Sequence, residues 1–187
     1  YQDGSRQAAP YPSALRALIA AALALMPVLA TLALWAVALR VRQYGWTHER
    51  IWAVAIAGVL MLYALGYAWA ALERDAAAWL QRIGRINPAM SWLVMALLVL
   101  LHTPLLDPYR IGAASQYQRL ADGTQAPTLQ ALQDLRFDHG RHGLPALQRL
   151  QGLPAFSQGE VAQDVRQMLA AEAKRYLPRQ ASALSAA

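Results

Sequence analysis

The chain has no cysteine in its 187 residues. Neither a disulfide framework nor a Cys-ligated metal or thiol redox centre is open to it. Charge is scarce as well: Asp, Glu, Lys and Arg make up 15% of the residues, against roughly 25% in an average globular domain. Lysine occurs once, as Lys174, so the net charge of +6 rests on arginine. In a nucleic-acid binder such cations gather on one polar face. Here they flank apolar runs, which argues against a nucleic-acid partner. The motifs of catalysis are missing too: there is no Gly-rich phosphate loop, no G-x-S-x-G elbow and no H-E-x-x-H pair. One metal-like pattern is present, "DHGRH", with Asp138, His139 and His142. Histidines three apart without a further ligand cluster fit no strong metal spacing. No catalytic residue, metal or cofactor is therefore expected. The first residue is Tyr, and "YQDGSRQAAPYPS" lacks the regions of a signal peptide, so the chain reads as part of a longer protein.

What the chain does have is apolar length. Between Ala17 and Leu39 lie 23 residues without a charge, and between Ile51 and Leu72 lie 22 more; a third run, 89–106, has 18. At about 1.5 Å per residue these helices measure roughly 35, 33 and 27 Å, against a hydrocarbon core of about 30 Å. A soluble core helix of such length would carry a polar stripe; these carry none. Trp35, Trp46, Trp52, Tyr67, Trp69, Trp92 and Tyr109 bracket the runs, as interfacial aromatics do. Small residues recur four apart at Ala17/Ala21, Ala20/Ala24, Ala53/Ala57, Ala64/Ala68 and Gly66/Ala70, spacing that lets helices approach closely in lipid. Pro27 interrupts the first run and leaves the Leu23 carbonyl without its donor; the Thr31 hydroxyl is expected to bond back to the Pro27 carbonyl. The expected partners are accordingly the lipid bilayer and other transmembrane helices of the same full-length protein.

The third run stops at "DPYR", residues 107–110. Asp is a favoured N-cap and Pro a favoured first helical residue, so Asp107-Pro108 predicts a helix start, and Asp122-Gly123 predicts its stop. Ile111, Ala114, Ser115, Tyr117 and Gln118 are expected to share one side of that helix at the membrane surface. A sharper alternative takes His102, Asp107, Arg110 and Ser115 as a ligand-binding or catalytic cluster at the bilayer edge, although capping explains the same residues with fewer assumptions. The candidate binding set is thus His102, Asp107, Tyr109, Arg110, Ser115 and Gln116 at the junction. Tyr44 and Trp46 join it from the loop "QYGWTHER", where Gly45 permits a turn, Thr47 caps the second run, and His48 is a further candidate contact.

Short helices follow. Leu129, Leu132 and Leu135 or Phe137 are expected on one side of "TLQALQDLRF"; "DHGRHG" breaks it, and "LPALQRLQG" restarts at Pro145. In "FSQGEVAQDVRQMLAAEAKRYLP", Ser157 and Glu160 form a predicted capping box, with Phe156 and Val161 as its hydrophobic staple. Val161, Val165, Met168, Leu169 and Tyr176 hold one face until Pro178. The organisation expected is a linker over 1–13 and a three-span region over 14–106 (17–39, 51–72, 89–106). A helical extramembrane region over 107–178 and a disordered end over 179–187 complete it. The fold class is all-α: three transmembrane helices followed by a short-helix extramembrane tail. Arginines near the run ends divide five against five between the two sides, so the positive-inside rule assigns no orientation.

Three stretches, "RVRQYGWTHERIWA" (40–53), "HTPLLDPYRIGAASQYQRL" (102–120) and "LRFDHGRHG" (135–143), together resemble a bacterial inner-membrane family known as domain of unknown function 4153. The resemblance implies a longer polytopic protein in a Gram-negative-type envelope, with further spans before this segment and the tail outside the cytoplasm. Gly112 departs from the serine more often expected there. The family has no established activity, so the resemblance brings no catalytic residues. The leading expectation is a non-enzymatic integral membrane protein whose helical tail docks on partners or on the membrane. The alternatives are part of a transporter whose pathway needs spans outside this chain, or a membrane-bound enzyme acting on a lipid-linked substrate at residues 107–110.

Overall fold

The structure, a computed structural model, describes residues 12–72 and 78–171. Most of the 1–13 linker, Arg74, Tyr176, the stop at Pro178 and the end expected over 179–187 lie outside the described residues. Every regular element among the described residues is helical, in two compact units.

The first unit, described over residues 12–44, 49–72 and 78–107, is built from α1 (Ser13–Tyr44), α2 (His48–Ala71) and α3 (Ala78–Leu101). The windows that are long and apolar enough to cross a membrane are Ser13–Tyr44, His48–Ala71 and Gln81–Leu101. Their large side chains face outward: Leu18 is 66% exposed, Trp35 63% and Trp92 77%. That arrangement suits lipid and would expose a large apolar area in water. The buried residues are mostly small, Ala30 of α1 and Ala57, Ala64 and Ala70 of α2, with Ile51 and Leu101 the large ones among them. A Cβ on Gly66 would lie 3.1 Å from Ile86 of α3, so the four-residue spacing in α2 serves close approach. The matching alanines of α1, from Ala17 to Ala24, are not buried. The Thr31 hydroxyl donates to the Pro27 carbonyl at 2.7 Å, and α1 continues through the proline.

The third helix differs from expectation. It begins at Ala78 rather than near residue 89, keeps Pro88 in its interior and ends at Leu101. Arg82, Arg85 and Pro88 resemble loop residues in sequence, yet a helix emerging from lipid tolerates them. The Arg82 guanidinium lies 4.7 Å from the centre of the Trp69 ring, a cation–π contact. Tyr67 donates to the Asn87 side chain, and the Ser91 hydroxyl caps the Asn87 carbonyl at 2.9 Å. The early stop has a local cause: Thr103 precedes Pro104, and the residue before a proline is held out of the α region. The His102 ring and the Thr103 hydroxyl satisfy the Leu98 and Leu100 carbonyls at 2.7 and 2.6 Å.

The second unit takes Gly45–His48 together with everything described from Pro108 onward. Its elements are α4 (Pro108–Ala121), α5 (Leu129–Phe137), a 3-10 turn (Gly140–His142), α6 (Gly143–Gln151), α7 (Pro154–Ser157) and α8 (Gly159–Ala170). The Asp-Pro start and Asp-Gly stop of α4 fall where the sequence predicts, with Gly123 in the left-handed region at φ +71°. Thr128 caps α5 by accepting from the Ala131 N–H at 3.2 Å. Leu132, Leu135, Leu147, Leu150 and Val165 are completely buried, joined by Phe156, Met168, Ala113 and Leu120. At about 1.5–3 kcal/mol for each large side chain, this cluster holds the helices together. Leu129, expected inside, is 43% exposed. The box at Ser157 is not formed: its hydroxyl donates to the Pro154 carbonyl at 2.9 Å, closing α7, and α8 begins one residue later from Gln158. Phe156 then enters the core as part of α7 instead of stapling α8.

Candidate functional site

Residues from all three distinctive stretches meet on α4. Gly45 stands at φ +76°, a conformation open to glycine and strained for other residues. A Cβ there would come within 2.5 Å of the Arg119 Cδ and 3.1 Å of the Ser115 hydroxyl. The loop therefore lies flat on the helix. Ser115 and Gln116 then grip one residue from both ends. The Trp46 N–H donates to the Ser115 hydroxyl at 3.0 Å, and the Gln116 side-chain amide donates to the Trp46 carbonyl at 3.3 Å. Two such bonds contribute about 0.5–1.5 kcal/mol each. One residue further along, the His48 ring stacks on Tyr109 with centroids 4.9 Å apart and planes 14° off parallel.

The third stretch enters from the far side. His139 is 2% exposed and sits against Gly112, where a Cβ would lie 2.9 Å from its Cδ2 and 3.0 Å from its Nε2. Glycine at 112 is what admits the ring. The Nδ1 of His139 approaches the Asp134 carbonyl at 3.1 Å. A carbonyl only accepts, so Nδ1 carries a proton, and Nε2 is buried without an acceptor for a second one, which disfavours the charged ring. Burial pushes its pKa below the ordinary 6.5, and His48 adds to the shift, while the Asp134 carbonyl and the Asp138 carboxylate partly oppose it. As pH falls, the unfolded chain binds this proton before the folded one does. The stability His139 confers is therefore complete above about 6.5 and drains away below it. Asp134 moves oppositely, raised from 3.8 by burial and by Asp138, so its contribution grows as pH falls through the raised value and is complete below 3.8. We expect the thermal midpoint of the full chain in detergent to fall between about pH 7.5 and about pH 5.5, and His139→Gln to flatten that fall. An equally steep fall in the variant would assign it to another group.

The candidate residues separate. Trp46, Tyr109, Arg110, Ser115 and Gln116 belong to the second unit, and Tyr44, His102 and Asp107 to the first. Tyr44 lies 5.4 Å beneath the Arg50 guanidinium, and its carbonyl accepts from Arg50 at 3.2 Å. His102 meets the Trp52 ring edge-on at 6.0 Å. The buried face of α4 is Pro108, Gly112, Ala113, Gln116 and Leu120, whereas none of Ile111, Ala114, Ser115, Tyr117 and Gln118, the side expected at the membrane surface, is buried. Sequence reading valued Gly45 only as a turn and Gly112 only as a departure. Their shared signal was membership in the three distinctive stretches.

The outward side of α4 borders two grooves. One, of about 390 Å³, runs between α4 and α6 and is lined by Arg110, Ala113, Tyr117, Pro145, Ala146 and Arg149 among others. The second, of about 430 Å³, has Trp46, Ile111 and Ser115 on its wall and shares Arg110, Ala114 and Gln118 with the first. Among the described residues no group of three or more His, Cys, Asp or Glu is placed to hold a metal ion.

The family model "Domain of unknown function (DUF4153)" covers residues 5–150. No curated protein and no solved structure matches the chain.

Proposed function

The chain belongs to the family of the domain of unknown function DUF4153, and from that premise we propose that it is a non-enzymatic membrane scaffold: three spans carrying a helical module that docks partners in the cell envelope. One observation carries this reading. The polar side chains gathered from the three distinctive stretches are engaged with backbone, Ser115 and Gln116 on Trp46 and His139 on Asp134. Groups that hold a loop on a helix are positioned for structure, not for transfer of a proton or an acyl group, since a nucleophile needs a base within hydrogen-bond reach. The membrane is the bacterial inner membrane, and the module faces the periplasm.

Two measurements test this. His102→Ala and Asp107→Ala, each at unchanged protein level, are expected to preserve growth and envelope integrity in cells that depend on the full-length protein; loss of function with normal folding speaks for chemistry at the junction. Because the chain has no cysteine, Thr124→Cys and Arg85→Cys each supply a single thiol. An impermeant maleimide added to intact spheroplasts should label the first and spare the second. Labelling of both from one side removes the three-span arrangement.

A further inference from the structure

We propose that the groove between α4 and α6 binds the phosphate of an anionic phospholipid. Its lining is mainly apolar, with Ala113, Ala114, Tyr117, Pro145 and Ala146. Its lining includes the arginines Arg110 and Arg149 and a histidine, His142, but no carboxylate. The acids described in this unit, Asp122, Asp134, Asp138, Glu160 and Asp164, are all outside that lining. Cationic and apolar groups in one lining match a ligand that is anionic at one end and apolar at the other. The guanidinium is the side chain best suited to a phosphate, because its planar fork presents parallel N–H donors to two oxygens.

Size agrees with that assignment. At about 390 Å³ the groove lies near the lower end of the roughly 300–1,000 Å³ of small-molecule sites, room for a phosphoglycerol headgroup and the first carbons of its chains. The neighbouring groove of about 430 Å³ shares Arg110 and offers Ile111 and the Trp46 side chain, 36% exposed, to the rest of the lipid. Only the six residues 102–107 separate α4 from the third apolar helix in sequence, so the chain itself tethers this groove to a bilayer that supplies the ligand. Free phosphate shares the headgroup's charge but lacks its apolar part, and the apolar lining favours the lipid.

The experiment is native mass spectrometry of the full chain in detergent, titrated separately with dioleoyl phosphatidylglycerol, dioleoyl phosphatidylcholine and inorganic phosphate. Phosphatidylglycerol should bind at least about tenfold tighter than phosphatidylcholine, and Arg149→Gln should lose about tenfold of that affinity, as loss of a charge-assisted bond predicts. Arg149 is exposed and outside the core, so this variant should keep its fold. Arg110→Gln serves as a second variant, and Arg166→Gln, whose guanidinium bonds the Ala162 carbonyl at 3.1 Å on α8, as a control that should bind normally. Equal binding of the two lipids, unchanged affinity in Arg149→Gln, or displacement of the lipid by millimolar phosphate each overturns the proposal.

Discussion

Replacing Gly143 by alanine should destabilise the helical unit by about 3 kcal/mol, the upper end of what overpacking a tight site costs. The backbone is not the obstacle. Gly143 has φ −67° and ψ −47°, ordinary helical values, and alanine is the better helix former by about 1 kcal/mol. The obstacle is what faces it. An added Cβ would fall on the carbonyl oxygens of Leu135 and Arg136 and lie 2.9 Å from the Arg136 carbonyl carbon. Those are backbone atoms of α5, and α5 cannot retreat without pulling Leu132 and Leu135, both completely buried, from the core. Gly152 provides the control. It too is near-helical, and its Cβ would meet only the Arg149 carbonyl at 3.4 Å, so Gly152→Ala should be neutral within about 0.5 kcal/mol. Thermal unfolding of both variants in detergent, followed by circular dichroism, distinguishes them. Similar midpoints for the two would mean that α5 and α6 do not approach as closely as described.

The second large effect is expected at Gly45, where alanine should cost about 2 kcal/mol from backbone strain and overlap together. Gly123 has nearly the same φ, +71° against +76°, but nothing within 4 Å of its Cβ position. Gly123→Ala therefore measures the left-handed strain alone, about 1 kcal/mol. The excess at Gly45 reports the contact with Arg119 and Ser115. Hydrogen exchange gives the same comparison locally. The Trp46 amide, bonded to the Ser115 hydroxyl at 3.0 Å, should exchange faster in Gly45→Ala and at its normal rate in Gly123→Ala. Unaltered exchange in Gly45→Ala would mean that the loop is held by something other than its fit on α4.

These two glycines also mark where sequence reading reached its end. Gly143 was the closing letter of a helix-breaking stretch, and Gly45 was a turn residue. Neither position carries any local sign that a carbonyl or an arginine stem from elsewhere presses on it. The same is true of the buried face of α4. Gly112 and Gln116 break every apolar periodicity, so the pattern grouped Ile111, Ala114, Ser115, Tyr117 and Gln118 at a surface and left the covered side unassigned. Gln116 is buried because its amide has a carbonyl to bond, that of Trp46, 70 positions away in sequence. For His139, the sequence shows a metal-like spacing too weak to carry a site and gives no sign that the ring is buried against Gly112. The early start of α3 escaped for the opposite reason: Arg82 and Arg85 end the uncharged run without ending the helix, since arginine is a good helix former, and Trp69 and Tyr67 of a neighbouring helix receive Arg82 and Asn87 beside the interior Pro88.

Sequence alone determined the three apolar helices, the Asp-Pro entry and Asp-Gly exit of α4, and the Thr31 bond across Pro27. Each of these depends on groups within a few residues of one another, or on the length of an uncharged run, and such quantities are written directly in the order of residues. Tertiary structure decided which side of α4 is covered, that the 45–48 loop is what covers it, and that His139 lies beneath. Those outcomes depend on hydrogen bonds and steric fit between segments about 25 to 70 residues apart, whose energies exist only once the chain has brought them together.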